Sequence, residues 1–389
     1  MSWKQTTLGE IVNLKRGFDL PASKRIEGPY PIYSSSGQTG THSEAAANGP
    51  CVITGRYGTI GQVFFSDKSC WPLNTSLYST DFKGNDPRFV YYLLKTIPWQ
   101  EYTTASAVPG VNRNHVHLCP VCVPDYRTQT AIASVLGALD EQIVVNTKLN
   151  GYLEELLLAQ FTALSPNENW TEGRADSYYE IGIGKTPPRK EPEWFSDVKA
   201  DNHVWLSIKD MGEAGTYSLD SSEYLTDAAV NAKNVRRVPA GSVLLSFKLT
   251  VGRVKIAGCN MTTNEAIACF ASDDKRKLAY AYPYLRSFDY GKLGSTSSIA
   301  TAVNSKTVKA MPFAMPGDLE LSEFYLSTKP IYEQLLATAK ESCFLAQLRD
   351  VLLPKLMSGE IDVTKVVLTK PNSHLTEYSM FTMASLSIC

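Results

Sequence analysis

The chain has 389 residues, of which 43% are hydrophobic and 20% charged, and its formal net charge is −1. The length allows two or three domains, no apolar run approaches a membrane span, and the first residues do not resemble a signal peptide. We therefore predict a cytoplasmic globular protein. A near-neutral chain excludes strong phosphate binding by net charge alone, because that contribution grows with the number of phosphates neutralised.

Two distant segments of the sequence repeat one another. Residues 59–63, Thr-Ile-Gly-Gln-Val, are echoed by residues 250–254, Thr-Val-Gly-Arg-Val, and Pro124 and Pro316 each introduce a long helical stretch. A repeat with so long a period is too large for a solenoid or a propeller blade. It predicts two copies of one domain, each followed by its own helix.

The first copy, residues 1–127, alternates short apolar runs with clusters of Gly, Ser, Asn and Pro, which is typical of a mixed α/β module with short strands. The runs 51–54 and 62–65 predict two strands, and the residues between them predict a hairpin turn. Asp86, followed by a proline, predicts the start of a short helix over residues 89–94.

Residues 128–165 predict a long helix. Side chains recur at spacings of three and four over about 35 residues, which corresponds to a rod of roughly 50 Å. A single stripe of this kind is typical of a coiled coil, in which the polar Asn146 can fix the register. The alternative is an amphipathic helix packed on its own domain. The predicted stripe contains Ile132, Val135, Leu139, Ile143, Asn146, Leu149, Leu153, Leu156 and Gln160.

A second module follows over residues 166–319, and within residues 320–360 a second helix is predicted from about Leu326 to Met357. Pro330 should lie in its first turns, and Pro354 should kink or end it. Residues 361–389 show no periodicity and predict a disordered tail. The second predicted stripe contains Leu335, Ala339, Ser342, Leu345, Leu348, Leu352 and Leu356.

The predicted fold class is therefore α/β (α+β). Two similar domains of short strands and helices are separated by two long helices, which we expect to form an antiparallel coiled coil with a pseudo-two-fold axis. Two copies of one module that differ in their turns suit a partner touched at two separate places.

Residues 184–186, Gly-Lys-Thr, match the end of a phosphate-binding loop. The full motif needs another glycine where Tyr179 stands, and it needs a helix where Pro187 and Pro188 follow. We expect a turn at the start of the second module here, not a nucleotide site.

Four potential zinc ligands, His115, His117, Cys119 and Cys122, lie close together, and alternation would place three of them on one strand face. A structural zinc site usually takes its ligands from two separated stretches, and no second pair exists. The repeat aligns both cysteines with apolar residues, so we expect core thiols. The eight cysteines are scattered, which favours free thiols in a reducing compartment.

We predict no catalytic residue, no metal site and no cofactor-binding residue on this chain. It has no Asn/Asp-Pro-Pro-aromatic tetrapeptide of an amino-methyltransferase and no glycine-rich cofactor loop in a βαβ setting. Paired acids with a lysine at nuclease spacing and a catalytic triad are also not found.

Polar and basic residues in the turns of both modules are the candidates for DNA contact. Arg, Lys, Asn and Gln can read base edges, whereas Ser, Thr and backbone amides hold phosphates. The candidate DNA-binding residues are Lys15, Arg16, Ser36, Gln38, Arg56, Tyr57, Thr59, Arg113, Asn114, Lys185, Arg189, Lys190, Lys209, Lys248, Thr250, Arg253, Asn304 and Lys306. The candidates for helix pairing and partner docking are Ile132, Leu139, Ile143, Leu153, Leu345, Leu348, Leu352 and Leu356.

Up to Val363 the sequence resembles the specificity subunit of a type I restriction–modification system. Residues 132–143, Ile-Ala-Ser-Val-Leu-Gly-Ala-Leu-Asp-Glu-Gln-Ile, resemble the central conserved helix of this family. Residues 348–361, Leu-Arg-Asp-Val-Leu-Leu-Pro-Lys-Leu-Met-Ser-Gly-Glu-Ile, resemble its C-terminal conserved helix and are the most specific match. Residues 184–187 and 204–211 resemble the start of a target-recognition domain.

The resemblance implies that each target-recognition domain reads one half of a bipartite DNA site, while the two helices fix the spacer. It also implies that two methyltransferase subunits dock on the helices and methylate a flipped adenine. Restriction subunits would add ATP-driven translocation and cleavage, so S-adenosylmethionine, ATP and Mg²⁺ are expected only on partner subunits.

Two other functions stay open at this point. A coiled-coil adaptor that joins two protein partners predicts no DNA footprint even with methyltransferase subunits present. A nuclease with an unrecognised site predicts cleavage by the purified chain with metal alone.

Overall fold

A computed structural model of the chain describes residues 3–103, 109–164, 166–293 and 303–365. The chain divides into two compact units, one formed by the residues up to Glu141 together with those from Ala346 onward, and one formed by Gln142–Leu345. The fold is α+β, with two strand-rich domains joined by two long helices. Most of the predicted tail, residues 366–389, lies outside the described residues.

The domain of the first unit is built from short strands and short helices. Its elements are β1 (Lys4–Thr7), α1 (Leu8–Ile11), β2 (Asn13–Arg16), β3 (Tyr30–Ser34), β4 (Gly37–His42), β5 (Cys51–Gly55), β6 (Val63–Ser66), β7 (Trp71–Pro72), β8 (Ser76–Asp81), α2 (Pro87–Lys95), α3 (Arg113–Val116) and β9 (Pro120–Val123), and α4 (Tyr126–Thr162) follows. One antiparallel sheet has the order β2-β8-β5-β6, a second has the order β4-β3-β7, and β1 pairs with β9. Because β5 lies inside its sheet, it is buried along its whole length, which explains its continuous apolar run.

The domain of the second unit repeats this plan with additions. Its elements are β10 (Thr171–Arg174), β11 (Glu180–Ile183), β12 (Phe195–Ser196), β13 (His203–Leu206), β14 (Tyr217–Ser218), β15 (Tyr224–Leu225), α5 (Asp227–Ala232), β16 (Val243–Ser246), β17 (Val254–Ala257), β18 (Thr262–Thr263), β19 (Ile267–Ala271), α6 (Lys275–Ser287), α7 (Ser305–Lys309) and β20 (Pro312–Met315), and α8 (Asp318–Met357) follows. The sheet β11-β19-β16-β17-β14 corresponds to β2-β8-β5-β6, and the pair β10·β20 corresponds to β1·β9.

The predicted duplication is confirmed by matching details inside each domain. β3 pairs with β7 and β13 pairs with β18 in parallel, whereas the hairpins β5–β6 and β16–β17 are antiparallel. Both hairpins contain a glycine with positive φ, Gly61 (+89°) and Gly252 (+91°). A Cβ there would lie 3.3 Å from Trp99 or 3.0 Å from Tyr290, so each turn packs closely against an aromatic ring.

The helix α2 begins where the sequence predicts it. Asp86 Oδ1 accepts a hydrogen bond from Phe89 N (2.9 Å), and Pro87 occupies the first turn. The cap satisfies one of the free amides of that turn, and the proline has no amide to satisfy. The buried face of α2, which includes Phe89 and Leu93, then packs into the core of the first unit.

Within each unit α4 and α8 pack antiparallel, as predicted. In the second unit Asn146 Nδ2 donates to Glu341 Oε2 (2.9 Å), and Ser327 Oγ donates to Gln160 Oε1 (3.3 Å). Residues later in α4 therefore pair with residues earlier in α8, as expected of antiparallel helices. We call the line of contact between α4 and α8 the seam. Asn146 is 2% exposed, which confirms a buried polar residue in this seam. In the first unit Ile132, Leu136, Leu352 and Leu356 share one core, and Arg349 Nη1 donates to Asp140 Oδ1 (2.7 Å).

The predicted stripe of α4 is wrong at two positions. Leu149 and Leu156 are 38% and 49% exposed, whereas Leu157 is fully buried and Asn150 accepts a hydrogen bond from the hydroxyl of Thr338. Leu149 and Asn150 both satisfy a spacing of three or four, as do Leu156 and Leu157. At the first of these pairs the sequence favoured the apolar residue, whereas the residue in the seam is polar. With these two changes, and with Leu136 included, the residues of α4 that follow the seam are Ile132, Val135, Leu136, Leu139, Ile143, Asn146, Asn150, Leu153, Leu157 and Gln160. In α8 two polar residues that were not predicted, Thr338 and Arg349, also contact α4. The predicted neighbour Leu348 packs against the core of the first unit.

α8 also begins earlier than predicted, at Asp318, so that Pro330 lies well inside it. A proline inside a helix removes one backbone hydrogen bond. Leu321 and Ile331, on either side of Pro330, are buried in the core of the second unit, and this packing offsets the lost bond. Pro354 does not end α8, because the helix continues to Met357.

Across the part of the chain that the structure describes, no helix combines the length and the apolar character needed to cross a membrane.

Candidate nucleic-acid interface

In the first domain the sheet brings two predicted arginines to one edge. β2 and β5 both run antiparallel to β8, which lies between them, so their carboxyl ends meet at the same edge. Arg16 ends β2 and Arg56 follows β5. Val111 N donates to Arg56 O (3.0 Å), and this bond places the segment leading to Arg113 at the same edge.

These residues line a pocket of about 300 Å³. Its lining consists of Arg16, Arg56, Tyr57, Leu77, Gly110, Val111, Asn112 and Arg113. None of these described lining residues is acidic, so three guanidinium groups surround one open cavity. The structure thus brings together four predicted DNA-binding residues from three distant places in the sequence.

The pocket offers hydrogen-bond donors beside an aromatic face. The guanidinium carbon of Arg56 lies 4.5 Å from the centre of the Tyr57 ring, a cation–π distance. A Cβ at Gly110 would lie 2.2 Å from that ring, so glycine is needed for the ring to occupy its position. Arg16 Nη2 lies 3.3 Å from Asp19 Oδ2, but both groups are exposed and such pairs are weak. Arginine forks can bind a phosphate or the O6/N7 edge of guanine, and Tyr57 can stack.

The other candidates of the first module do not line this pocket. The turn that carries Ser36 lies beside the hairpin, because Ser35 N donates to Thr75 Oγ1 (3.4 Å) while Thr75 O accepts from Arg56 N (2.9 Å). Lys15 on β2, Gln38 on β4 and Asn114 on α3 are exposed. Thr59, in the hairpin turn, is half-buried.

In the second domain the equivalent edge carries lysines and also one exposed carboxylate, that of Glu265, which accepts a hydrogen bond from the hydroxyl of Thr186. β11 and β16 both run antiparallel to β19, so the segments after their carboxyl ends, with Lys185 and Lys248, lie at one edge. Arg253 Nη1 donates to Ile208 O (2.6 Å), which places Lys209 beside the stem of the same hairpin. Lys248, Thr250 and Lys209 are exposed.

Several candidates of the second module already have partners within the domain. Arg189 forms an ion pair with Glu223 (2.6 Å) and lies over the ring of Phe195 (4.2 Å). Lys185 Nζ donates to a backbone carbonyl, that of Lys233 (2.5 Å). Asn304 Oδ1 accepts from Lys306 N (2.9 Å) and caps α7. These side chains hold the domain together, whereas Lys190 and Lys306 are exposed.

Sequence reasoning missed Leu249 at the tip of the second hairpin. Its side chain is 93% exposed, and its φ is +63°. The signal was present in the repeat, because Leu249 stands in the hairpin position that Gly58 occupies in the first domain, where φ is +78°.

The match to a phosphate-binding loop has no matching structure. Gly184 N donates to Ile267 O (3.1 Å) and Lys185 N donates to Thr263 O (2.8 Å), so these amides extend strand pairing and do not form an anion cradle. Pro187 follows in an extended segment, not in a helix. The turn that we expected at these residues is also not observed, because a turn follows only at residues 189–190.

The four potential zinc ligands do not share a strand face, and this part of the prediction is wrong. His115 lies in α3, and the neutral ring of His117 accepts a hydrogen bond from Leu14 N through Nε2 (3.0 Å). Burial lowers the pKa of His117. Cys119 is buried as expected, but Cys122 is exposed, so only one of the two is a core thiol. No cluster of three or more His, Cys, Asp or Glu side chains suited to a metal ion occurs among the described residues.

The candidates for helix pairing separate into two groups. Ile132, Leu352 and Leu356 are buried in the core of the first unit, and Leu139 and Leu348 pack against it. Leu153 packs against the core of the second unit, and Ile143 and Leu345 are half-buried. All eight therefore serve the packing of the helices and domains and leave little surface for a partner.

A different face of α4 is apolar and exposed. Val145, Leu149, Tyr152 and Leu156 are 55%, 38%, 68% and 49% exposed. They recur at spacings of four and three and so form one stripe, which we call the exposed stripe of α4. Its direction differs from that of the seam, because Asn146 and Leu153 point to α8.

The chain is similar to known proteins over most of its length. Residues 1–155 match the family model described as "Type I restriction modification DNA specificity domain". The HindI specificity subunit of Haemophilus influenzae is 21% identical, with 92% of this chain and 99% of that protein covered. The MjaIX specificity subunit of Methanocaldococcus jannaschii is 22% identical, with 72% and 70% covered.

A solved structure has the same fold. It is the S subunit of the type I restriction–modification system of M. genitalium, which superposes with a TM-score of 0.56 at 14% identity and covers 91% of this chain and 96% of that one. The family model and the curated relatives agree with this likeness. The chain is thus similar to type I restriction–modification specificity subunits, through the family model over residues 1–155 and through the curated relatives over most of its length.

Proposed function

We propose that this chain is the non-catalytic, DNA-reading subunit of a type I restriction–modification complex. Residues 1–127 and 166–319 would be its target-recognition domains, and each would read one half of a bipartite site. The observation that carries this proposal is the pocket formed by Arg16, Arg56 and Arg113, together with the lysine-bearing edge at the same place in the second domain. The turn residues differ between the two copies, which suits two different half-sites.

The chain as a whole is nearly neutral, so these few cations supply orientation and base contacts, and partners must supply most of the phosphate binding. Two methyltransferase subunits are the partners that the family implies. They would bring S-adenosylmethionine, and restriction subunits would bring ATP and Mg²⁺. Each methyltransferase subunit has to flip an adenine out of the duplex to reach its amino group.

The exposed stripe of α4 is our candidate docking surface for a methyltransferase subunit. Replacing Tyr152 by aspartate places a charge in the middle of this stripe, and we expect at least about tenfold weaker binding because buried aromatic residues dominate interface energies. Size-exclusion chromatography of the co-expressed subunits, with their stoichiometry measured, tests this. The control is Thr147→Asp, which adds the same charge on another exposed face of α4. Equal loss of binding in both variants would contradict the docking surface.

The spacer of the DNA site tests the proposed function itself. Seven residues inserted between Asn146 and Thr147, and seven between Lys340 and Glu341, preserve the seam pairs on both sides of the insertion. Each helix gains about 10 Å. If the helices set the distance between the half-sites, the spacer should lengthen by about three base pairs at roughly 3.4 Å each.

Sequencing of modified adenines in a host that expresses this variant gives both half-sites and the spacer. The control carries the insertion in α4 alone, which disrupts the seam and should abolish modification. Altered half-sites with an unchanged spacer would defeat the spacer role. Modification that does not depend on this chain would defeat DNA reading and favour the coiled-coil adaptor.

A further inference from the structure

The tip of the β16–β17 hairpin presents one apolar side chain to solvent. Leu249 has the largest exposed fraction, 93%, of the exposed large apolar side chains among the described residues. Single exposed apolar residues are common on protein surfaces. Leu249 differs from that ordinary case in its backbone and in the rigidity of its turn.

The backbone conformation at Leu249 is unfavourable for its residue type. With φ at +63° it lies in the left-handed region, where a Cβ comes too close to the following carbonyl oxygen. The equivalent turn of the first domain avoids this strain with Gly58 at φ +78°. The second domain therefore keeps a leucine where the same hairpin is formed more easily by glycine, and no packing contact of a nearly fully exposed side chain offsets the strain.

The turn around Leu249 is held by hydrogen bonds on both sides. Ser246, which is fully buried, donates through Oγ to Thr250 O (2.5 Å) and accepts from Arg253 N (3.0 Å). Thr250 N donates to Lys248 O (2.7 Å), and Gly252 N donates to Ser246 O (3.0 Å). A preorganised turn presents its apolar tip without a further ordering cost on binding.

The surroundings of Leu249 are polar and charged, with Lys248 next to it in the chain and with Lys185 and Glu265 at the same edge of the sheet. Lys248 and Thr250 on either side are exposed. A protein partner would need a contiguous apolar patch, and this surface has a single apolar side chain between a cation and a hydroxyl. The surface fits a ligand that presents an isolated apolar group among phosphates and polar edges. In the major groove of DNA, that group is the C5-methyl of thymine.

We propose that Leu249 reads the methyl group of a thymine in the half-site that the second domain recognises. The proposal rests on the proposed function and adds a specificity-determining residue to it. Lys248 and Thr250 contact the backbone beside that base. The first domain has Gly58 in the equivalent place and makes no such contact.

Deoxyuridine lacks only the methyl group and so isolates the contact. We would measure binding of the complete complex with its methyltransferase subunits to duplexes in which each thymine of the second half-site is replaced singly by deoxyuridine. The wild type should bind about fourfold more weakly when one particular thymine is replaced, since a buried methyl-sized group contributes about 0.8 kcal/mol. Replacement in the first half-site provides the matched control and should not reveal a second position that depends on Leu249.

The variant Leu249→Gly completes a double-mutant cycle. Glycine adopts positive φ without strain, so the variant should fold at least as stably as the wild type, which thermal unfolding checks. It should bind the thymine duplex about fourfold more weakly and should not distinguish thymine from deoxyuridine at that position.

Equal sensitivity of both proteins to deoxyuridine, or sensitivity of neither, would overturn the proposal. A third result would also overturn the proposal: the wild type unstacks a fluorescent 2-aminopurine placed in the half-site, Leu249→Gly does not, and neither protein responds to deoxyuridine. Leu249 would then be a wedge between base pairs. A wild-type complex without preference for its site over random DNA would overturn the proposed function along with this inference, whereas the other outcomes leave the proposed function intact.

Discussion

Replacing Arg16, Arg56 and Arg113 together by alanine should weaken binding of the complete complex to its DNA site by about 10³-fold. Each guanidinium that binds a phosphate or a guanine edge contributes roughly 1–3 kcal/mol, and these three line one pocket. Fluorescence anisotropy at a fixed salt concentration measures the loss. If the arginines contact phosphates, the dependence of affinity on salt should also decrease by about one unit of slope for each contact.

The control for this triple variant is Lys68→Ala. Lys68 is exposed in the loop that follows β6, at the end of that strand away from the hairpin tip. It should leave affinity within about twofold, because surface substitutions away from a site are nearly neutral. The single variant Arg56→Ala should relax the sequence requirement of one half-site only. Unchanged affinity of the triple variant, or relaxation of both half-sites, would show that the pocket does not read DNA.

Replacing Leu157 by alanine should lower the free energy of unfolding by about 2–5 kcal/mol, because Leu157 is fully buried in the core of the second unit. This corresponds to a fall in Tm of about 4–20 °C for a unit of this size. The adjacent Leu156, 49% exposed, is a matched control. Leu156→Ala removes the same atoms and should change stability by less than about 1 kcal/mol, since alanine also favours the helix.

Thermal unfolding of both variants followed by circular dichroism decides between two registers of α4. The spacing of leucines in the sequence placed Leu156 in the seam, whereas the structure places Leu157 there. A larger loss of stability in Leu156→Ala than in Leu157→Ala would restore the register predicted from the sequence. Methyltransferase binding distinguishes the same two variants in the opposite sense, because Leu156 belongs to the exposed stripe of α4.

Local patterns in the sequence were sufficient for much of the fold. Asp86 with its following proline predicted the start of α2, and the echo of residues 59–63 in residues 250–254 predicted the second hairpin. The burial of Asn146 in the seam was also predictable, because a polar residue in an otherwise apolar stripe is tolerated where it finds a partner. The cap of α2 depends on neighbouring residues, whereas the second hairpin was predicted by comparing two segments far apart in the sequence.

The candidate site was predictable in its residue types but not in its composition. Arg56 and Arg189 look alike in the sequence, yet Arg56 lines an open pocket while Arg189 is paired with Glu223. Asn304 appeared to be available for a base, and instead its side chain caps α7. Leu249 was not considered because an apolar residue in a turn gives no sign of its exposure.

The sequence by itself determined the presence of two long helices and the mixed α/β character of each module, because periodicity, capping residues and turn residues act over short distances along the chain. It also determined the duplication, because both copies of the module keep the same local signals. Only the tertiary structure decided which three arginines share a pocket, which leucine lies in the seam and which arginine is already paired with a carboxylate. These outcomes depend on contacts between residues far apart in sequence. The order of the strands places Arg16 and Arg56 at one edge of a sheet, and the bond between Val111 and Arg56 brings Arg113 there. Burial then distinguishes neighbours such as Leu156 and Leu157.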